Sequence, residues 1–89
     1  MAVVITGEVP GQTKEGYEET IAGLGEELRK APGFVMHMGH KIEGGWRIIE
    51  VWESSKAASD WFAKAVRPFL PPNVNPQRKI HELHTLIRP

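Results

Sequence analysis

An α+β sandwich built in the order β-α-β-β-α-β is the fold this sequence predicts, on three observations. Four short β-rich runs alternate with two amphipathic helical patterns. The two central runs, Phe34–Ile42 and Trp46–Glu53, are separated only by Glu43-Gly44-Gly45, a hairpin signal that makes them antiparallel neighbours. Strands 2, 3 and 4 also carry large apolar groups on both faces, whereas two helices can cover only one face of a four-stranded sheet. The order is that of a split βαβ, a ferredoxin-like sandwich, in one domain over residues 1–89. The uncovered face calls for another sheet, which a homodimer packed sheet against sheet supplies.

The elements follow in order. Ala2-Val3-Val4-Ile5-Thr6 is short and β-branched and is closed by Gly7 and the Pro10-Gly11 turn signal, which predicts the first strand. Thr13 stands as an N-cap, and Tyr17, Ile21, Leu24 and Leu28 fall on one helical face over residues 14–30. Gly16, Gly23 and Gly25 each cost that helix about 1 kcal/mol relative to Ala, so tertiary packing or a close backbone approach must hold it. Ala31-Pro32-Gly33 ends it.

If Gly44-Gly45 is a two-residue turn, Phe34, Met36, Met38, His40 and Ile42 share a face with Arg47, Ile49 and Val51. The other face then carries His37, Gly39, Lys41, Trp46, Ile48, Glu50 and Trp52. Ser54-Ser55 caps a second helix with Ala58, Trp61, Phe62, Ala65 and Val66 as its stripe, ending near Val66 because Arg67 precedes Pro68. The proline-rich stretch Arg67–Arg78 predicts an irregular arm lying against something apolar, and Lys79–Ile87 the last strand.

Composition narrows the function. A chain of 89 residues buries only about 60–65 % of its unfolded surface, which makes a partner chain an expectation. Eleven Lys+Arg against 11 Asp+Glu leave no net charge and no basic stripe, so neither nucleic acid nor an anionic membrane is an expected partner. Without cysteine there is no disulfide, thiol nucleophile or Cys-type metal site. No apolar stretch approaches a membrane span and Met1–Thr6 is too short for a signal segment, which reads as a soluble, cytoplasmic protein. There is no GxSxG elbow, P-loop or dinucleotide fingerprint.

Pro32-Gly33-Phe34 opening strand 2 and Gly44-Gly45-Trp46-Arg47-Ile48-Ile49-Glu50-Val51-Trp52-Glu53-Ser54 leading into helix 2 resemble the antibiotic biosynthesis monooxygenase superfamily of dimeric α/β barrels, over nearly the whole chain. The resemblance implies a ferredoxin-like fold, a homodimer with apposed sheets, and a pocket in each protomer between sheet and helices. Members include cofactor-free oxygenases acting on polycyclic phenols and quinones, haem-degrading enzymes and small proteins without assigned activity. Many members carry a histidine in helix 2 where this chain has Trp61. The haem-degrading branch has a helix-2 tryptophan, but it also uses a later histidine as iron ligand and a strand-1 asparagine. Those places here are Pro71 and Thr6.

Among the candidate residues, His81-x-x-His84 and the His37/His40 pair cannot chelate from regular strands, because residues three apart point to opposite faces. One histidine of each pair together with Glu50 would give a facial triad for iron or manganese. Histidines satisfied by backbone or carboxylate partners are the reading adopted, with no metal and no cofactor. Tyr17, Trp46, Trp52 and Trp61 join apolar bodies to polar N–H or O–H groups and would wall a pocket for a flat aromatic molecule. Core or dimer-seam packing of Trp61 and Trp52 is the structural alternative. Glu50 at mid-strand is costly to bury without a partner, whether that partner is His37, Lys41, Arg47 or a residue across a dimer.

By the resemblance, His37 or His84 would act as base on a phenol, Glu50 as its orienter, and the aromatics as walls of a cofactor-independent monooxygenase. A non-catalytic dimeric module whose interior is filled by its own side chains is the competing expectation, and a haem-binding relative a third.

Overall fold

The computed structural model describes residues 1–89. Strand β1 (Val3–Pro10) leads to helix α1 (Lys14–Lys30), then the hairpin of β2 (Phe34–Ile42) and β3 (Gly45–Trp52). Helix α2 (Ser55–Trp61) runs through a π-turn (Phe62–Val66) into a last helical turn, α3 (Arg67–Phe69), and β4 (Gln77–Glu82) completes a sheet of order β2-β3-β1-β4. Every pairing is antiparallel, so the fold is the split βαβ sandwich.

Local chemistry places the ends. The Thr13 hydroxyl accepts from the Gly16 N–H at 3.0 Å and the Ser54 hydroxyl from the Ala57 N–H at 3.1 Å, so both expected caps form. The hairpin turn is Glu43-Gly44, with Ile42 opposite Gly45, one residue earlier than the glycine pair implied. Gly44 takes the positive φ of the turn (+78°), whereas Gly45 belongs to β3, where a Cβ would collide with the Val9 carbonyl of β1. Moving the turn by one residue shifts each partner by two, so the faces survive. Phe34 is the exception: a bulge between Phe34 and Met36 sets it opposite Trp52, on the helix-covered face and not with Met36.

Three boundaries differ from expectation. Strand β1 continues through Gly7 to Pro10, because Gly7 gives room to Ile48, whose Cγ1 would lie 3.1 Å from a Cβ there. Helix 2 does not stop at Val66. In the π-turn the Arg67 N–H donates to the Phe62 carbonyl, and the widened backbone leads into a turn that carries Pro68, where a missing N–H matters least. Strand β4 begins at Gln77 and ends at Glu82, so the irregular arm shrinks to residues 70–76 and His84 falls in the tail beyond the strand.

The helices cover the face formed by Val3, Ile5, Gly7 and Val9 of β1 with Trp46, Ile48, Glu50 and Trp52 of β3. Val3, Ile5, Leu28, Trp52 and Ala58 form the core, and Phe34, Ala57 and Trp61 pack on it. Gly23 lets Phe69 of α3 lie on α1, since a Cβ there would be 2.8 Å from its ring. The opposite face has no helix. It presents Val4, Met36, Met38, Ile49 and Val51 beside an Arg47–Glu8 ion pair of 2.8 Å, and Met38 is 48 % exposed.

Candidate functional site

Beyond the core, the same sheet–helix interface opens into a cavity of about 80 Å³. Tyr17, Ile21 and Leu24 of α1 roof it, His37, Trp46, Ile48 and Glu50 form its floor, and Trp61, Phe62, Leu70 and Arg78 close the far side. The stripe predicted for α1 is thus the cavity roof continued into the core at Leu28.

A hydrogen-bonded chain crosses the floor. The Tyr17 hydroxyl lies 2.6 Å from His37 Nε2, and His37 Nδ1 lies 2.7 Å from Glu50 Oε2. The Trp52 indole N–H donates to Glu50 Oε1 at 2.9 Å. Register explains the chain: His37 and Glu50 are direct cross-strand partners, and Glu50 and Trp52 stand two residues apart on one face of β3. Glu50 is only 7 % exposed, and both oxygens accept, which answers the burial cost that its position implies. In the tautomer that carries its proton on Nδ1, His37 donates to the carboxylate and its Nε2 accepts from the tyrosine O–H. Burial first, and the Glu50 charge second, push the Tyr17 phenol above its ordinary pKa, so it holds its proton and remains a donor.

Aromatic packing frames this chain. Tyr17 stacks on Trp46 with centroids 4.9 Å apart, and its ring is nearly parallel to that of His37, at 6.0 Å. The Trp46 indole nitrogen is buried without a hydrogen-bond partner. At the opposite wall the Arg78 guanidinium lies 4.0 Å from the centre of the Phe62 ring. Burial pulls Arg78 below its ordinary pKa, the Glu50 charge opposes that shift, and the Arg67 charge adds to it.

Of the residues singled out from sequence, Tyr17, His37, Trp46, Glu50 and Trp61 meet at the cavity. Trp52 does not line it: it is fully buried in the core behind Glu50, with Phe34 edge-on at 5.4 Å. Glu50 faces the helices, so it is not a residue of the open sheet face where a second sheet would pack. His84 lies in the exposed tail after β4, outside the cavity, and His81 stands opposite Val4 on the open face. Neither joins His37, and no three His, Asp or Glu side chains converge as metal ligands.

Sequence reasoning missed Gly39 and Arg78. A Cβ at Gly39 would lie 2.7 Å from Tyr17 Cζ and 3.0 Å from the Trp46 indole nitrogen, so this glycine admits the stacked pair over β2. A glycine inside a strand is itself a sign of close approach. The proline-rich sequence places Arg78 in an irregular arm, but it is a strand residue that pairs with Gly7, the one β1 position without a side chain to block it.

No family model matches the chain, and no curated protein matches it. Solved structures do. The cofactor-independent oxygenase SnoaB from Streptomyces nogalater aligns over 97 % of this chain and 96 % of its own at 15 % identity, with a TM-score of 0.68. The haem-degrader MhuD from Mycobacterium tuberculosis, solved with two haems in its active site, aligns over 97 % and 99 % at 18 % identity and TM-score 0.67. The ActVA-Orf6 monooxygenase of Streptomyces coelicolor, solved with nanaomycin D, aligns over 99 % and 90 % at 22 % identity and TM-score 0.55. At these identities the likeness carries the fold and not the activity. The chain has the ferredoxin-like α+β fold of the antibiotic biosynthesis monooxygenase-like proteins.

Proposed function

We propose that this protein binds a flat phenolic molecule in the cavity and oxidises it with dioxygen, without a cofactor, as a homodimer whose open sheet faces pack together. The observation that carries the reading is the Tyr17–His37–Glu50 chain, which presents an imidazole acceptor backed by a buried carboxylate at the floor of an aromatic-walled cavity. A substrate O–H that takes the place of the Tyr17 hydroxyl loses its proton to His37 Nε2, and Glu50 stabilises the imidazolium that forms. The electron-rich phenolate passes one electron to dioxygen, the resulting radical pair joins as a C–O bond, and the peroxide anion takes the proton back from the His37 imidazolium to give a hydroperoxide. Loss of water across that carbon leaves a quinone, so one phenol and one dioxygen give one quinone and one water.

Haem does not suit the residues present. Both ring nitrogens of His37 are engaged, Pro71 stands where the haem-degrading branch has its iron ligand, and the cavity is far smaller than a porphyrin.

The cavity size favours a second reading. At about 80 Å³ it is smaller than the ~150 Å³ engineered cavity that takes benzene, which suits a module whose interior is filled by its own side chains. Oxygen uptake with anthrone and hydroquinones separates the two. Uptake above the buffer rate that falls by about 100-fold or more in His37→Ala supports the oxygenase, in line with the usual worth of a general base. No uptake across such a panel, with no rise in melting temperature, establishes the filled module instead. The sheet-to-sheet dimer is checked by sedimentation, where Met38→Asp in the middle of the open face should give monomers.

A further inference from the structure

Two arginines converge on one aromatic ring at the cavity wall. Arg78 lies 4.0 Å and Arg67 5.1 Å from the centre of Phe62, so the two guanidinium groups are no farther apart than these distances combined. None of the four ion pairs in the molecule includes either arginine. The nearby acid, Glu50, is already bonded to His37 and Trp52 through both oxygens. Arg78 is therefore a half-buried cation that lines the cavity with no carboxylate bonded to it, and a second cation stands close by. Arg67 is exposed and lies outside the cavity lining, so its charge is screened by solvent, whereas the half-buried Arg78 has no bonded counter-charge and an anion in the cavity would supply one.

We propose that Arg78, reinforced by Arg67, is a carboxylate-binding site at the cavity wall, and that the ligand is an aromatic acid, a phenol carrying a carboxylate away from its hydroxyl. This rests on the phenol-binding reading above and adds the ligand's charge to it. The planar guanidinium of Arg78 offers a two-pronged donor to a carboxylate, and it lies over the Phe62 ring, 4.0 Å from its centre. An aromatic acid needs more room than the roughly 80 Å³ present, so it enters as the Tyr17 hydroxyl is displaced from His37; with its phenol end then at His37 and its acid end at Arg78, it is fixed at both ends of the cavity. The Glu50 carboxylate, engaged on the floor, disfavours an acid group at the His37 end and so sets the direction of binding.

Calorimetric titration of the purified protein at pH 7 with 4-hydroxybenzoate and 6-hydroxy-2-naphthoate, each against its carboxamide, tests this with one-ring and two-ring spans. The acids should bind about tenfold or more tightly than the amides at low salt, a preference that narrows as salt is raised. In Arg78→Gln the preference should collapse to within about twofold while amide binding persists, which also shows that the variant is folded; Arg67→Gln should weaken it in part. Arg88→Gln, removing the same charge from the exposed tail, should change nothing. Acid and amide binding equally well would overturn the carboxylate site and leave the phenol reading standing. Binding of neither acid nor amide would remove the phenol reading and this site with it.

Discussion

The two ends of the sheet–helix interface are built from the same strand and behave differently. Trp52 and Trp46 stand on one face of β3, both beneath helices. At the Trp52 end, Ile5, Leu28 and Ala58 close around the indole, Phe34 meets its edge, and its N–H has an acceptor in Glu50. At the Trp46 end the partners are a tyrosine ring, a glycine and open space, and the indole N–H has no acceptor. Packing and polar satisfaction are complete at one end and incomplete at the other, and the titratable residues lie at the incomplete end. Glu50 sits on the boundary, one oxygen bonded into each half. The stable end thus holds the carboxylate that orients the imidazole of the hollow end.

The sharpest way to break this contrast is to empty each end in turn. Trp52→Ala removes a fully buried side chain and should cost about 3–5 kcal/mol in urea unfolding, enough to unfold a domain of this size in many conditions. Trp46→Ala only enlarges an existing cavity and should cost roughly half of that or less. Equal losses would mean that the hollow end is as tightly built as the core.

Glu50→Gln comes next. An amide offers one acceptor oxygen where the carboxylate offers two, so either the Trp52 indole N–H or the His37 N–H faces an NH₂ group. The expected loss is about 1–3 kcal/mol, and the Trp52 indole proton should shift in the NMR spectrum. If stability and that resonance are both unchanged, Glu50 does not join the two ends.

Much of this division was legible in the sequence. The apolar faces of α1 and of β1 to β3 follow from periodicity and both N-caps from residue type, while the convergence of His37 with Glu50 follows only once the turn has two residues, since a three-residue loop would put them on opposite faces. What failed depended on contacts that no period encodes. Gly45 reads as a turn residue until the Val9 carbonyl lies against it, and Trp52 reads as a pocket wall until α2 lays Ala58 and Trp61 over it. Arg67 before Pro68 reads as a helix end until a π-turn absorbs the missing donor, and that continuation carries Arg67 to Phe62. An apolar alternation extends β4 through His84, but pairing with β1 runs out at Val3 opposite Glu82.

Gly39→Ala probes the hollow end by crowding alone, with a methyl group placed 2.5 Å from the Tyr17 hydroxyl oxygen. The new methyl would crowd Tyr17 Cζ at 2.7 Å and the Trp46 indole at 3.0 Å, so the stack must lift from β2. A loss of about 1–3 kcal/mol is expected, the usual cost of overpacking, together with separation of the Tyr17 hydroxyl from His37. An unchanged melting temperature would show that the Tyr17–Trp46 stack moves freely at this end.

The smallest effect is the ionisation of Tyr17, and it is measurable because the chain has a single tyrosine, so absorbance near 295 nm on alkaline titration reports that phenol alone. Burial and the Glu50 charge both favour the neutral phenol in the folded state, so its midpoint should lie above that of the unfolded chain. The sign follows from linkage: below the unfolded midpoint near pH 10 the phenol is protonated in both states and its contribution to stability is fully present. Above it the unfolded chain releases the proton first, and stability falls as pH rises through the folded midpoint. Glu50→Gln should lower the folded midpoint only partway, since burial is the larger cause and remains. A wild-type midpoint at the ordinary value would mean that water reaches the hydroxyl freely; His37 Nε2 would then have no fixed donor, and the difference between the two ends would reduce to packing alone.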